Sequence, residues 1–575
     1  MRNFFIPFTV FLISIFLFWQ ILFNLGTTLV DWHDYPLLVA NIWQYQHNFS
    51  SFYSFSTFNL WFFPMFYPAT NAQLFSDSLL AHGLVASLFG FFTNNPILVF
   101  NLLFFATLLL NVLGAYYLWR QVFKRPEVLF FATLTTALSP YFFSQISHFQ
   151  MISFWPLLFI LGILLKEKTS RLELVSLSLL LVIQFLTSVY LWLFSGVVIG
   201  VWLMTKGLRN LETKKLGTVL LSLLLVSPLL WQYRQVKSAN QVSVRQEELL
   251  VHSAQISDYL LVWLPDTLVS QTPLATWIQS WNHNLSGEKG VFPGIVLTGL
   301  AIVGLWAETR RKKPKTKRIR LLFFGFMIFG FIFSLGPRCQ INGFYCQMPL
   351  PYWGAIKLFP FLDTFDALAR WSLLFYLGLS YFAALGLEQF IKKIKLNNFS
   401  RLQRCAQHCG QGFLISGFII IYSIETFPLF RIYRQVDYFT AVHQYLQTAC
   451  LAESKVLLRY PFDQRNGFVI LESLEARTTD LLGASQHECH LVNGYSGLAP
   501  TWYPILETRL NIYFSTKEFA DFLNLVSEQK TTYLQIKHSF LSIEEWQAWQ
   551  TWVAAKQTNL QVLASDETSV LYLLR

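Results

Sequence analysis

The stretch Val291–Leu335, VFPGIVLTGLAIVGLWAETRRKKPKTKRIRLLFFGFMIFGFIFSL, decides the fold. Apolar runs at 291–307 and 321–336 flank a segment, Arg310 to Arg320, that carries eight Lys and Arg residues. Runs of that length span, or nearly span, a bilayer core of about 30 Å at about 1.5 Å per residue. A dense basic connection between two such runs marks a pair of membrane helices joined on the cytoplasmic side.

Working outward, further apolar runs recur at about 4–23, 97–119, 128–143, 151–165, 172–188, 190–205, 216–232, 371–388 and 412–430. With the quoted pair they predict about eleven spanning helices, an α-helical polytopic membrane protein. The connections fall into two classes. The basic class is Arg120/Lys124/Arg125, Lys166/Lys168/Arg171, Lys206/Arg209/Lys214/Lys215, the Arg310–Arg320 run and Lys392/Lys393/Lys395/Arg401/Arg404. Together these segments hold 23 of the 43 Lys and Arg residues. All of them share one side only if the N-terminus is cytoplasmic and they face the cytoplasm. The outer class, chiefly 25–96, 233–290 and 337–370, is then extracytoplasmic, with everything after Phe430. No small-x-small cleavage pattern follows the first run, which reads as a retained anchor. Leu79–Phe92 is apolar but short, and a span there would invert every later connection. It reads as a helix lying on the outer surface.

Composition agrees. The chain is 54% hydrophobic and only 13% charged, with mean hydropathy +0.42, against about 25% charged residues in soluble domains. Lipid must solvate much of its surface. The net charge of +11 is gathered in short connections between apolar runs, which excludes nucleic acid as the partner and leaves membrane lipid.

Two domains are expected: a transmembrane domain over 1–430 and a small extracytoplasmic α/β domain over 431–575. In the latter, Tyr438–Thr448, Lys517–Ser527 and Ile543–Ala554 have helical periodicity, while Lys455–Pro461, Thr532–Ile536 and Ser569–Leu574 read as strands. Asn493-Gly-Tyr-Ser-Gly497 is turn-rich and reads either as a plain loop or as a ligand contact. The charge map puts Cys450 with Cys489, and Cys339 with Cys346, in oxidising surroundings where each pair can form a disulfide. Cys405, His408 and Cys409 lie in an inner connection; two or three ligands without partners do not make a metal site.

The outer connections hold the candidate chemistry. Asp31 and Asp34, in Val30-Asp-Trp-His-Asp-Tyr-Pro36, are three residues apart and share a face in a helical turn. Such a pair can act as a general base or bind a divalent cation through oxygen. Equally, Asp34 can cap a helix that has Pro36 in its first turn and ends near Gln46. Asp77 and His82 flank the start of the short surface helix. His148 and Gln150 lie in a tight outer turn, where His148 can carry a proton, bond a substrate or satisfy a helix end. Asp258, Asp266, Glu288, Arg338 and Arg370 complete the set. An Arg at the outer mouth of a span suits a phosphate, because its planar fork bonds two oxygens; anchoring to lipid headgroups is the alternative.

The arrangement resembles the GT-C superfamily, polytopic glycosyltransferases that use polyprenyl-phosphate-linked sugars, and within it large bacterial membrane proteins. The stretches that carry the resemblance are Asp31–Tyr35, Phe66-Tyr-Pro68 through Phe75-Ser-Asp77, Ala137–Tyr141, Ser147–Gln150, Ser257-Asp258 to Leu264-Pro265, Leu335-Gly-Pro337, Leu350-Pro-Tyr352 and Leu491–Gly497. It implies a site at the extracytoplasmic face of a bacterial plasma membrane, where a polyprenyl-phosphate-linked sugar is the donor. Asp31 takes the position of the catalytic carboxylate and Asp34 is the second. Asp77, His82, His148, Gln150, Glu288, Arg338 and Arg370 are the substrate-binding candidates. Where an Arg-rich approach to the tenth span is expected, the chain has Asp363-Thr-Phe-Asp-Ala-Leu-Ala-Arg370, and Arg370 alone is clearly placed. The rival functions are a transporter or flippase of lipid-linked saccharide and a membrane assembly protein. A transporter would be expected to carry charges inside its spans, and Glu425, near the outer end of the last one, is the exception in a nearly charge-free set.

Overall fold

A computed structural model describes residues 2–31, 34–53, 59–206, 212–243, 246–261, 267–273, 277, 290–308, 314–341, 344–394, 415–429, 431, 433–435, 440–452, 455–462, 470–556 and 560–574. The chain forms two compact units. One comprises Met1–Leu22, Phe104–Val226 and Arg245–Ile432; the other comprises Phe23–Leu103, Ser227–Val244 and Tyr433–Arg575. These units differ from a division at 430/431, because Phe23–Leu103 groups with the C-terminal residues.

The first unit is helical. Four described helices are long and apolar enough to cross a membrane: Pro96–Trp119, Val189–Lys206, Thr213–Asn240 and Leu368–Lys392. The other apolar runs are helical too in their described residues; run 4–23 is interrupted at Phe18, between Arg2–Leu17 and Trp19–Phe23, and two more are divided beside a proline. Run 128–143 divides into Pro126–Ala137 and Pro140–Ser144, and run 151–165 into Phe149–Ile152 and Trp155–Leu165. Proline causes both breaks: Ser139, before Pro140, is extended at ψ 160°, and its hydroxyl caps the new helix by accepting from the Phe142 amide.

Helix Ser372–Ile394 packs on both Ile295–Glu308 and Pro314–Ser334. Glycine permits the approach. A Cβ on Gly304 would lie 1.9 Å from the Phe382 carbonyl oxygen, and one on Gly386 would lie 1.9 Å from that of Leu300. Nearby, Phe323 stacks on Tyr381 with centroids 4.5 Å apart. Glu425 has a structural partner: its Oε1 accepts from the Ile295 amide at 3.2 Å and its Oε2 from the Val296 amide at 3.3 Å. A carboxylate on the first amides of a helix satisfies donors the helix cannot pair itself and complements its dipole.

The second unit is built on a mixed sheet. Its strands, in spatial order, are Leu560–Ser565, Val570–Leu574, Tyr533–Ile536, Val456–Tyr460 and His490–Leu491. The last three run parallel and the hairpin at the other edge is antiparallel. Helix Ala441–Ala452 precedes the strands in sequence, and helices Ile470–His487, Tyr503–Ser515, Phe519–Glu528 and Ile543–Lys556 lie between them. Cys450 and Cys489 are joined by a disulfide, with Cα atoms 5.2 Å apart. Cys346 falls among residues whose side chains are not described, so the Cys339–Cys346 pairing lies outside the described set, as do Cys405, His408 and Cys409.

The segment that follows the first apolar run joins this sheet. The Phe66 amide donates to the Asn493 carbonyl at 3.0 Å and the Tyr67 amide to that of Leu491 at 2.8 Å. A Cβ on Gly494 would lie 2.5 Å from the Phe66 ring, so Gly494 clears space for that ring. Helix Tyr35–Tyr53 packs against both Leu80–Phe89 and Ile470–His487. At ten residues, Leu80–Phe89 rises only about 15 Å, half a bilayer core.

Candidate active site

Asp31 follows the short strand Thr28–Leu29, which pairs with Arg434–Gln435. Its side chain is buried, 4% exposed, and its Oδ2 accepts the Asp34 amide at 3.3 Å. The three-residue spacing therefore makes a local turn, one carboxylate closing on the backbone of the other. Asp34 immediately precedes helix Tyr35–Tyr53, and its carbonyl accepts from the Leu38 amide. It stands at the capping position the sequence allowed, in front of a helix that runs past Gln46 to Tyr53.

Asp77 is half-buried in the same unit. Just after it, the Ser78 amide donates to the Tyr233 hydroxyl at 3.1 Å, and the Ser78 carbonyl accepts from the Tyr45 hydroxyl at 2.9 Å. His82 is buried, and burial lowers its pKa to about 4, so it is neutral at physiological pH. Asp31, Asp34, Asp77 and His82 thus belong to one unit.

His148, Gln150, Arg338 and Arg370 belong to the other. His148 stands half-buried at the start of the turn Phe149–Ile152, and its side chain does not cap that turn. Gln150 is buried. Arg338 stands at the start of a two-stranded hairpin with Phe344–Pro349 and is exposed. Arg370 is buried, 8% exposed, with its guanidinium carbon 5.0 Å from the centre of the Tyr190 ring. The Tyr190 hydroxyl donates to Asp366 Oδ1 at 2.5 Å and accepts the Ala367 amide at 3.1 Å. Arg370 is therefore held over a ring that two further groups fix in place, a cation–π geometry. Tyr190 and Asp366 did not stand out in the sequence, where they lie 176 residues apart. Glu288 and Asp266 lie outside the described residues. Asp258 is buried and bonds the Gln255 amide at 2.7 Å, closing its own turn. Among the described residues no group of three or more His, Cys, Asp or Glu could hold a metal ion.

Sequence reasoning also missed a buried charged cluster in the second unit. Arg459, fully buried in the sheet, forms an ion pair with Asp480, Nη1 lying 2.9 Å from Oδ1; its Nη2 donates to His443 Nε2 at 3.1 Å and is 3.4 Å from His487 Nε2. Lys537 also bonds Asp480. The signal was present: Lys455-Val-Leu-Leu-Arg-Tyr-Pro461 reads as a buried strand, and an Arg within one requires a counter-charge.

The fold is similar to those of two solved glycosyltransferases. Arabinofuranosyltransferase AftD from Mycobacteria matches over 99% of this chain and 40% of its own, with a TM-score of 0.57 and 13% identity. The apo form of the Archaeoglobus fulgidus oligosaccharyltransferase matches over 100% of this chain and 74% of its own, with a TM-score of 0.55 and 12% identity. This chain spans about two fifths of the length of the first. The fold is thus GT-C-like. No curated protein sequence matches the chain. A family model described as "Domain of unknown function (DUF6311)" matches residues 13–400, well over half of the sequence, and the chain belongs to that family.

Proposed function

We propose that the chain is a membrane glycosyltransferase that moves a sugar from a polyprenyl-phosphate-linked donor to an acceptor at the extracytoplasmic face of a bacterial plasma membrane. On this reading about eleven helices span the bilayer, the N-terminus is cytoplasmic, and residues 431–575 lie outside. The GT-C-like fold supports transfer of a glycosyl group. The observation that carries the residue assignment is Asp31, a buried carboxylate fixed by the Asp34 amide at the opening of the first outer connection.

In the reaction the bond between the anomeric carbon and the lipid phosphate oxygen breaks as the acceptor oxygen or nitrogen bonds that carbon. Asp31 takes the acceptor proton, and Asp34 orients Asp31 through its amide. The departing phosphate keeps the electron pair, and positive charge beside it stabilises it. A lipid-linked donor fits because an outward-facing enzyme cannot draw on cytosolic nucleotide sugars. A transporter would use in-span charge for its cargo, whereas Glu425 binds the amides of Ile295 and Val296.

The test is a transfer assay in liposomes with a panel of polyprenyl-phosphate sugars. Asp31→Asn should lower turnover about 10²-fold or more, the usual worth of a positioned general base. Full activity in that variant, with the wild type active, overturns the assignment.

A further inference from the structure

The basic connections do more than orient the chain. Three helices of the first unit change from apolar to basic around one cavity of about 260 Å³. Lys166 follows the end of Trp155–Leu165, Lys206 ends Val189–Lys206, and Arg318 stands in the second turn of Pro314–Ser334, just before its apolar run begins at Leu321. With Glu167 these three cations make the polar wall, and Leu165, Ile319 and Leu322 make the apolar one. Lys166 is already bridged to Glu173, and Lys206 to Glu212 while lying over the Trp202 ring. Arg318 forms no ion pair with a described residue, although Glu212 and Glu167 act on it at longer range.

We propose that this cavity binds the phosphate of an anionic phospholipid headgroup, with Arg318 as its principal ligand and Lys166 and Lys206 beside it. Several features converge on that class. Glu173 and Glu212 already answer Lys166 and Lys206, which leaves Arg318 as the cation of the wall that an anion can engage. A guanidinium that pairs with no described carboxylate presents a planar fork to two phosphate oxygens. The cavity is smaller than the roughly 300–1,000 Å³ of drug-sized ligand pockets, which suits a headgroup rather than a large metabolite. Its position at the apolar-to-basic junction of three helices is the depth at which a lipid phosphate lies. The leucine and isoleucine wall continues toward lipid, with Leu321 and Phe324 exposed on the same helix. Basic pockets between membrane helices on the cytoplasmic side hold anionic headgroups by this combination.

The experiment uses the full chain in detergent and counts retained lipid by native mass spectrometry, with phosphatidylglycerol and phosphatidylcholine offered at equal concentration. The wild type should retain phosphatidylglycerol in preference. Arg318→Gln should lower that retention about five-fold, the worth of one basic group near an anionic surface. Arg318→Lys should fall between, and Lys357→Gln, on the outer helix Pro351–Leu358, should change nothing. Equal retention of both lipids, or no effect of Arg318→Gln, overturns the proposal. Loss of the lipid on adding millimolar inorganic phosphate would mean a free-phosphate site and overturns it too. Should Arg318→Gln fail to fold, thermal unfolding of the wild type decides: phosphatidylglycerol must raise Tm above the value in phosphatidylcholine, Lys206→Gln must diminish the rise, and absence of either result overturns the proposal.

Discussion

Arg459 Nη1 lies 2.9 Å from Asp480 Oδ1, and Asp480 also receives Lys537, so one carboxylate answers two cations beneath the sheet. Arg459 is fully buried and Asp480 is mostly so. Breaking such a pair is far more destabilising than replacing both partners, because a lone charge remains out of water. Asp480→Asn should therefore destabilise the second unit by about 3 kcal/mol. The double variant Asp480→Asn with Arg459→Met should recover part of that loss. Denaturant midpoints of the four proteins in the cycle check it; strict additivity would show that the pair has no coupling.

The same cluster sets a pH dependence. Burial, reinforced by the positive charge of Arg459, lowers the His443 pKa to about 3 and holds that of His487 well below its usual value. Both rings are therefore neutral in the folded chain. Below the unfolded value of 6.5 the unfolded chain binds more protons than the folded one, so stability falls as pH drops. The contribution is complete above pH 6.5 and is lost progressively down to about 3, where His443 itself protonates in place. Hydrogen exchange of the strand Val456–Tyr460 should accelerate as pH falls from neutral to about 5, beyond the intrinsic rate change. His443→Gln should flatten that response.

Much of the fold was legible because lipid and water impose crude rules. A membrane span needs no partner to be recognised: Pro96–Trp119, 24 residues without one charged side chain, declares itself by composition alone. Helix Ile470–His487 escaped because Glu, Arg, Thr and Asp interrupt its apolar residues, and strand Leu560–Ser565 because it is only half-buried. Breaks at Pro140 and Pro156 hid inside runs that hydropathy reads as continuous. At the candidate site, residue types were legible and partners were not. Asp31 and Asp34 form a local turn, which three-residue spacing can suggest. Phe66 with Asn493, Tyr190 with Asp366 and Glu425 with Ile295 are pairings between distant parts of the chain, which periodicity does not encode.

The Cys450–Cys489 disulfide closes a loop of 39 residues. A crosslink of that span stabilises by about 3–4 kcal/mol through the unfolded chain. Reduction should therefore lower the denaturant midpoint of the second unit. Mass spectrometry of non-reduced peptides should recover the pair joined in protein taken from its membrane. Cys450→Ser with Cys489→Ser should reproduce the shift; reduction that leaves the midpoint of the wild type unmoved would refute it.

Arg370 and Arg338 are both proposed for the donor phosphate, and they differ in setting. Arg338 stands exposed on a hairpin, where a single charge is screened by water and salt. Arg370 is buried over Tyr190, whose hydroxyl is fixed by Asp366 and the Ala367 amide. Fixed charge shielded from water stabilises a departing phosphate best, because nothing must reorganise as the negative charge grows. In the liposome transfer assay, Arg370→Ala should lower kcat/KM about 10²-fold, the worth of one oriented donor to a developing oxyanion. Arg370→Lys keeps the charge but loses the planar fork and much of the stacking, and should restore only part of the rate. Arg338→Ala should leave kcat/KM within about three-fold of wild type, as surface charges generally do. Tyr190→Phe keeps the ring under Arg370 but removes its bonds to Asp366 and Ala367, so kcat should fall while the protein still folds. If Arg338→Ala were the damaging variant and Arg370→Ala were silent, the phosphate would belong to the hairpin and the buried arginine would be purely structural.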